Sequence, residues 1–223
     1  MYAALSTRPD IAHATSMRAR YLRHPTNTDW NAAVKILKYL RGTSHLGIIY
    51  GGSDIGEDCL LGPVFCDANW GGRPGTDRKS TTGFVIKLNG GPISWGSKKQ
   101  PVVSTSTAEA EYMAAGLVTQ EVMWTRQLLD EMGFEQPTPT IISCDNLPAI
   151  SMTKDDTHHP RTKHIDIKYH YIKHLTKIGQ ITTVHVPSYL QQADMLTKAL
   201  DKPLYTRIRD AVMLNIPINL PTT

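Results

Sequence analysis

The clearest pattern of apolar and polar positions lies at residues 104–131 and predicts a long helix. Ser106 and Glu109 are spaced as in a capping box, the sequence signature of a helix N-terminus. Apolar residues then recur at near-helical spacing and predict one stripe that faces a core: Ala110, Met113, Ala114, Leu117, Trp124 and Leu128. Glu111 lies beside this stripe. Its carboxylate is therefore either on the rim of a core or held there for a chemical reason.

Shorter segments on both sides of this helix have the composition and turn signals of strands. The predicted strands are residues 60–70, 80–88, 92–95, 140–143 and 180–187. Asn89-Gly90-Gly91 is a strong hairpin signal between the second and the third strand. Further helices are predicted at residues 149–153, 163–178 and 190–200, the last ended by Asp201-Lys202-Pro203. This order predicts an α/β fold with a mixed five-stranded sheet and helices on its faces.

The first 50 residues have a helical pattern of their own. One helix begins near Pro9, and a second is capped by Thr28 or Asp29 and ended by Gly42. Two short helices make a poor independent core. We therefore expect this segment to need a partner.

A connector containing Gly, Ser and acidic residues at 51–58 predicts a domain boundary. It separates a helical segment at residues 1–50 from a domain at residues 59–200. Residues 201–223 are predicted to be a C-terminal tail.

Composition limits the class of protein. Of the 223 residues 40% are hydrophobic, which is ordinary for a globular domain, and the net charge of +4 permits nucleic-acid binding without requiring it. The three cysteines show no paired spacing, which excludes a disulfide framework and suits a reducing compartment. No signal peptide and no apolar run of about 18 residues is visible. We expect a soluble, cytoplasmic protein that is not secreted and has no membrane partner.

Four acidic residues stand out by position. Asp67 lies near the end of the first strand, Asp145 ends the fourth, and Glu111 and Asp194 lie in the first turns of predicted helices. Each alone is explained as a cap or a solvated surface group, and Asp145 is a possible N-cap. Together, two adjacent strands with a helix on each could bring all four to one point. Their mutual repulsion would then call for divalent cations, as in the two-Mg²⁺ sites that hydrolyse phosphodiesters.

Six stretches that follow one another in order are recognisable as a set. They read FCDANW (65–70), DRKSTTG (77–83), ISW (93–95), STAEAEYMA (106–114), CDN (144–146) and RTKHIDI (161–167). Together they resemble the ribonuclease H region of copia-type LTR retrotransposon polyproteins, and the match covers nearly all of residues 59–200.

This resemblance implies the ribonuclease H fold and hydrolysis of the RNA strand of RNA–DNA hybrids. The family's four metal-binding acids fall on Asp67, Glu111, Asp145 and Asp194, which would hold two Mg²⁺ ions, with Mn²⁺ as a substitute. Glu109 keeps its role as part of the helix cap.

The N-terminal segment carries a resemblance of its own. TRPDI (7–11) and ILKYLRGT (36–43) look like the end of the reverse transcriptase of the same family. The polymerase palm is absent, so we expect no DNA synthesis. The implied partners are an RNA–DNA hybrid and either the missing reverse transcriptase portion or a second polymerase subunit. Association with virus-like particles or the nucleus stays open.

A hybrid would be held mainly through its phosphates and recognised by duplex shape and 2′-hydroxyl groups. The candidate contacts are Asn69, Arg73, Arg78, Lys79, Lys98 and Lys99. Each cation alone is equally typical of a solvated surface. Many ribonucleases H carry a mobile histidine in a late loop, but here Tyr189 occupies the aligned position, and His185 lies on the preceding strand.

Three other hypotheses compete with this one. A transposon integrase shares the fold, but its glutamate follows two aspartates in sequence, whereas Glu111 lies between Asp67 and Asp145. A catalytically silent fragment that binds nucleic acid or a polymerase partner is the non-enzyme alternative. The spacing of His170 and His174 permits zinc binding, but no cysteine pair or Glu-x-x-His arrangement supports it.

Overall fold

The computed structural model describes residues 1–51, 61–71, 77–154 and 166–214, with side chains in the last range from residue 171 onward. Most of the predicted connector at 51–58 and the end of the predicted tail fall outside these ranges. The three-part domain division therefore stays a prediction.

Five strands and seven helices lie within the described ranges. The strands are β1 Leu61–Asn69, β2 Thr81–Leu88, β3 Gly91–Lys99, β4 Thr140–Cys144 and β5 Ile181–His185. The helices are α1 Tyr2–Ser6, α2 Ala12–Ala19, α3 Asn27–Gly42, α4 Thr107–Glu131, α5 Leu147–Lys154, α6 Asp166–Lys177 and α7 Lys202–Met213. No helix among the described residues is long and apolar enough to cross a membrane.

The strands form one sheet in the order β3-β2-β1-β4-β5. β1, β2 and β3 are antiparallel neighbours, whereas β4 runs parallel to both β1 and β5. Asn89 and Gly90 join β2 to β3 as a two-residue turn, with φ of 48° and 77°, both in the left-handed region. This confirms the predicted hairpin, since such turns match the twist of the strands they connect.

Alternate side chains of β2 pack in two different hydrophobic cores, one on each face of the sheet. Phe84 and Ile86 pack with α4, α5 and α6 in the larger core, which also contains Tyr112 and Ile172. Val85 points to the other face, where it packs with the second core. Side chains from both ends of the chain build that second core: Ala12, Leu196, Ile208, Val212 and Met213. The mixed sheet with helices on both faces confirms the predicted ribonuclease H-like fold.

Helix α4 begins as predicted but buries a different stripe at its C-terminal end. The Ser106 hydroxyl accepts a 3.1 Å hydrogen bond from the Glu109 amide, and the Glu109 carboxylate accepts from the amide and hydroxyl of Thr105 rather than from the Ser106 amide. Trp124 is 63% exposed, so its predicted place in the core is wrong. The buried face runs through Val122, and two residues further on turn the helix by about 200°, to the solvent side. Leu128 is 39% exposed and the next residue, Leu129, is buried instead, so the predicted place of Leu128 in the core is wrong as well.

The cap of α3 lies two or three residues earlier than predicted. Thr26, rather than Thr28 or Asp29, is the N-cap: its hydroxyl accepts from the Asp29 amide, and the Asp29 carboxylate accepts from the Thr26 amide. The predicted end at Gly42 is confirmed.

The predicted helix at residues 190–200 is wrong. Two short 3₁₀ turns, Ser188–Leu190 and Gln192–Leu196, occupy this part of the chain. Asp201-Lys202-Pro203, expected to end a helix, instead begins α7. Proline is tolerated in a first turn because the amide it lacks would have no intrahelical partner there.

The N-terminal segment finds its packing partner within this chain. The Trp95 indole donates a 2.8 Å hydrogen bond to the Ala4 carbonyl, and the Ser16 hydroxyl donates one of 2.8 Å to the Ser97 carbonyl. On the α7 side, the Tyr205 hydroxyl donates to the carbonyl of Asp10, also at 2.8 Å. These contacts join α1 and α2 to β3 and α7, so the segment covers one face of the sheet.

Lys87 gives the stability of this face a testable pH dependence. It is buried on β2, and its ammonium group donates a 2.8 Å hydrogen bond to the Ala211 carbonyl of α7. Burial lowers its pKa from 10.5 to about 8. Between these two pH values the unfolded chain binds more protons than the folded chain, so the contribution of Lys87 to the free energy of unfolding rises with pH. As the pH rises through this window, the free energy of unfolding should increase by about 3 kcal/mol relative to that of a Lys87→Met variant. Urea unfolding of the two proteins at each pH measures this difference. A difference that stays flat or falls with pH would contradict it.

Candidate metal centre

Asp67 and Asp145 meet because β1 and β4 are parallel neighbours in the sheet. The register pairs Val64 with Ile142 and Phe65 with Ser143. Continued by two residues, it sets Asp67 of β1 level with Asp145, which directly follows β4. The carboxyl ends of parallel strands are where open α/β sheets commonly form ligand crevices.

The other two predicted acids reach the same place from the two sides. Glu111 projects from the first turns of α4, and Asp194 projects from the turn Gln192–Leu196, here called the Asp194 turn. Carboxylate oxygens of Asp67, Asp145 and Asp194 all lie within 4.8 Å of one another, and so do ligand atoms of Glu111, Cys144 and Asp145. The structure thus brings all four predicted acids together.

Gly83 makes room for the Asp194 turn. It pairs across the strands with Asp67, and a Cβ atom added to it would lie 2.6 Å from Thr197 Cγ2 and 2.8 Å from Leu196 Cβ. Real Cβ atoms do not approach other atoms so closely. The missing side chain therefore lets the Asp194 turn lie directly on β2.

Gln191 and Thr197 fix the two ends of this turn. Gln191 is fully buried. Its side-chain NH₂ group donates to the Cys66 carbonyl at 2.9 Å, and its side-chain oxygen Oε1 accepts from the Ala193 amide at 3.2 Å. The Thr197 hydroxyl, also fully buried, donates to Oδ2 of Asp67. These bonds tie the turn to β1, the central strand.

Ser188 holds the fourth acid. Its hydroxyl donates a 2.8 Å hydrogen bond to Oδ2 of Asp145. Tyr189, the residue aligned with the auxiliary histidine, is 39% exposed in the same short turn, whereas His185 ends β5. The late loop therefore reaches the site through a serine hydroxyl.

The acids are electrostatically crowded. Asp67, Glu111 and Asp194 are all at most 5% exposed. Burial, together with the neighbouring charge of Asp67, raises the pKa of Glu111 far above its ordinary range. The same two causes raise the pKa of Asp194 to about 7, against the opposing effect of Lys198. Fully ionised acids in this place need positive charge nearby.

Lys198 supplies part of that charge. Its ammonium nitrogen lies 2.8 Å from Oδ1 of Asp194 and 3.9 Å from Oδ2 of Asp67. Although burial opposes its charge, the carboxylates of Asp67 and Asp194 raise the pKa of Lys198. A single lysine cannot neutralise four carboxylates, so the excess of negative charge persists.

This donor set suits a hard divalent cation. Carboxylate oxygens are the ligands that Mg²⁺ prefers, and Mg²⁺ is commonly held by a few protein carboxylates with water completing its shell. Asp67, Glu111, Asp145 and Asp194 would hold it, and the raised pKa values mark the charge it would relieve. The zinc hypothesis gains no support, since the side chain of His170 lies outside the described residues.

The predicted nucleic-acid contacts have different surroundings in the structure. Asn69 is exposed at the end of β1, and Arg78 is exposed with φ of 57°. Lys98 pairs with Glu121 at 3.2 Å, and Lys99 pairs with Asp77 at 2.6 Å. Lys79 is partly buried, and Arg73 lies outside the described residues.

Five residues of the site escaped the sequence analysis: Gly83, Ser188, Gln191, Thr197 and Lys198. Gln191, Thr197 and Lys198 lie in the segment 190–200, which was predicted to be a helix. An acceptable helical pattern gives no reason to expect that one of its glutamines is buried. The sequence motif that contains Ser80 and Gly83 could be recognised. No local pattern indicates, however, that a turn more than a hundred residues later in the chain packs directly on Gly83.

We expect Gly83→Ala to weaken metal binding. The new methyl group must push Thr197 and Leu196 away and move Asp194 with them, so Mn²⁺ affinity measured by calorimetry should fall about ten- to hundredfold, as when groups that orient metal ligands are lost. Gly47→Ala is the matched control, because a Cβ there meets no atom within 4 Å. Equal Mn²⁺ affinity in the two variants would contradict the role given to Gly83.

The chain has clear relatives among transposon proteins, although no family model matches it. It is 39% identical over 212 residues to the retrovirus-related Pol polyprotein from transposon TNT 1-94 of Nicotiana tabacum, covering 95% of this chain and 15% of that protein. It is 38% identical over 196 residues to the corresponding polyprotein from transposon RE2 of Arabidopsis thaliana, covering 88% of this chain and 13% of that protein.

Among solved structures, LC11-RNase H1 in complex with an RNA/DNA hybrid aligns with 63% of this chain and 97% of its own, at 20% identity and a TM-score of 0.44. The sequence relatives are far longer, and the chain spans about 15% of the length of the first of them. With four carboxylates gathered on a ribonuclease H-like sheet and this identity along nearly its whole length, the chain is a homologue of one part of the retrovirus-related Pol polyproteins of copia-type transposons.

Proposed function

We propose that this chain is a metal-dependent endonuclease that hydrolyses the RNA strand of RNA–DNA hybrids. The observation that carries the proposal is the meeting of Asp67, Glu111, Asp145 and Asp194 at the carboxyl edge of the parallel pair β1 and β4. The sequence similarity supports the proposal, because the relatives are retrovirus-related Pol polyproteins. Mg²⁺ is the proposed ion, with Mn²⁺ as a substitute.

When bound, divalent ions would activate a water molecule and stabilise the leaving oxygen of the phosphodiester. The chain's own residues prepare the site for them. The Thr197 hydroxyl orients Oδ2 of Asp67, and the Ser188 hydroxyl orients Oδ2 of Asp145. Lys198 restrains the carboxylate of Asp194. These three carboxylates are thus held before the ion or the substrate arrives, which lowers the cost of ordering the site on binding.

Recognition of the hybrid would rely on shape and backbone charge rather than on base sequence. Asn69, Arg78 and Lys79 are proposed to contact the duplex, and Asn69 and Lys79 line one cleft with Thr197 and Lys198. Lys98 and Lys99 are proposed as weaker contacts, because each already pairs with a carboxylate that is at least partly exposed. Such exposed pairs exchange readily for a phosphate, since they contribute little on their own.

The much greater length of the relatives suggests a protein partner. We propose that the reverse transcriptase portion of such a polyprotein, in the same chain or as a second subunit, works beside this one. The cytoplasmic location predicted from the sequence stays a prediction.

An assay with both strands of a hybrid labelled tests the proposed function. In Mg²⁺ the purified chain should cut the RNA strand internally and leave the DNA strand intact. Asp145→Asn should lower the rate about a hundredfold or more, because even a group that only orients a metal ligand is worth about ten- to a hundredfold. Asp130→Asn, which changes an exposed acid of α4 away from the centre, is the matched control and should keep full activity.

Two outcomes would contradict the proposal. Equal cleavage by the parent and by Asp145→Asn would mean a contaminating nuclease or a wrong site. Hybrid binding without cleavage by the parent would favour the catalytically silent fragment instead.

A further inference from the structure

A cleft separates α2 from the sheet beside the metal centre. It has a volume of about 370 Å³. Most of its lining is polar or basic, including Arg20, Lys79, Lys99 and Lys198, and its one carboxylate is that of Asp77. Thr197 and Lys198 also contact the carboxylates of Asp67 or Asp194, so the cleft opens directly from the proposed catalytic site.

Arg20 enters this cleft from the N-terminal segment. The Ser16 hydroxyl anchors α2 to the Ser97 carbonyl, and Arg20, which follows the last turn of α2, donates a 3.1 Å hydrogen bond to the Thr81 hydroxyl. Thr81 pairs across the strands with Asn69, two residues beyond Asp67 on β1. Two residues of a strand span about 7 Å, which is about twice the axial spacing of successive phosphates in one strand of a duplex.

The charge on Arg20 has no carboxylate partner among the described residues. Arg18, in the preceding turn, pairs with Asp29 at 2.9 Å, whereas no carboxylate of the described ranges lies within ion-pair distance of Arg20. Asp77 is the carboxylate whose charge acts on Arg20, and it already pairs with Lys99. Burial lowers the pKa of Arg20, and the opposing effects of Tyr21 and Asp77 only partly offset it, so this cation is partly desolvated. A partly buried guanidinium group of this kind is suited to a phosphate, which it binds through two parallel hydrogen bonds.

We propose that this cleft binds the phosphate backbone of one strand of the duplex, with Arg20 as its principal contact and Lys79 as the second. The inference rests on the proposed function, because the duplex is the hybrid whose RNA strand lies at the four carboxylates. It assigns a role to the N-terminal segment as well: α2 forms one wall of the substrate groove. A nucleic-acid backbone is favoured over a small anion because the cleft continues into the carboxylate site along Thr81, Asn69 and Asp67.

Arg20→Gln tests this proposal, with Arg23→Gln as the matched control. Both variants remove one arginine charge within four residues, but Arg23 is exposed and does not line the cleft. Binding of a fluorescently labelled RNA–DNA hybrid is measured by anisotropy without divalent metal, over a series of salt concentrations. Arg20→Gln should weaken binding about tenfold and reduce the slope of log affinity against log salt by about one. Arg23→Gln should change the affinity less than about threefold.

A conservative variant separates recognition from general charge. Arg20→Lys keeps the charge but loses the paired hydrogen bonds, so it should recover the salt slope and only part of the affinity. Should Arg20→Gln lower the melting temperature, Lys79→Gln provides the same test from the opposite wall. Equal affinity and equal salt slope for the cleft variants and the control would overturn the proposal.

The assay distinguishes this inference from the proposed function. A parent chain that binds the hybrid and is weakened by Arg20→Gln, yet does not cleave, would refute catalysis and leave the cleft assignment in place. A parent that cleaves while Arg20→Gln binds as the control does would refute the cleft alone. A parent that does not bind the hybrid at all would refute both.

Discussion

Repulsion among four acids is the constraint on which the site depends. Asp67, Glu111 and Asp194 are buried, and their carboxylates lie close to each other and to Asp145. Such a group would separate if it rested on loops. Each member instead belongs to an element fixed by the two cores: the central strand, the edge of its parallel neighbour, the capped helix α4 and a turn held on β2. The packing of these elements thus offsets the electrostatic repulsion between the four carboxylates.

The Asp194 turn shows how closely packing and chemistry are joined. Gly83 gives the turn its place, Gln191 bonds it to the backbone of β1, and the Thr197 hydroxyl reaches the carboxylate of Asp67. The opposite end of the chain contributes as well, since α1 and α2 lie on β3 and α7. The same docking that buries Ala12 beside Val212 also sets Arg20 next to the end of β1. The N-terminal segment is therefore part of the architecture around the site.

Much of this arrangement could be predicted from local patterns. The five strands, the Asn89-Gly90 turn and the start of α4 at Ser106 follow from turn chemistry, capping and periodicity, all of which act over a few residues. The four acids could be singled out because each stands at the end of a strand or in the first turns of a predicted helix. The roles of Gly83 and Gln191 could not be predicted, because they depend on contacts between segments far apart in sequence. The error at residues 190–200 has the same origin: tertiary packing on β2 overrides a local helical pattern, and Pro203 begins a helix that it was expected to end.

The central claim is that these four carboxylates form one centre for divalent cations at the hybrid-binding face. Anomalous diffraction from crystals of the chain grown with Mn²⁺ and an uncleavable hybrid tests it most directly. The account predicts strong Mn²⁺ peaks enclosed by Asp67, Glu111, Asp145 and Asp194, with a phosphate of the RNA strand beside them. Mn²⁺ bound elsewhere, or a hybrid seated away from these acids, would contradict it.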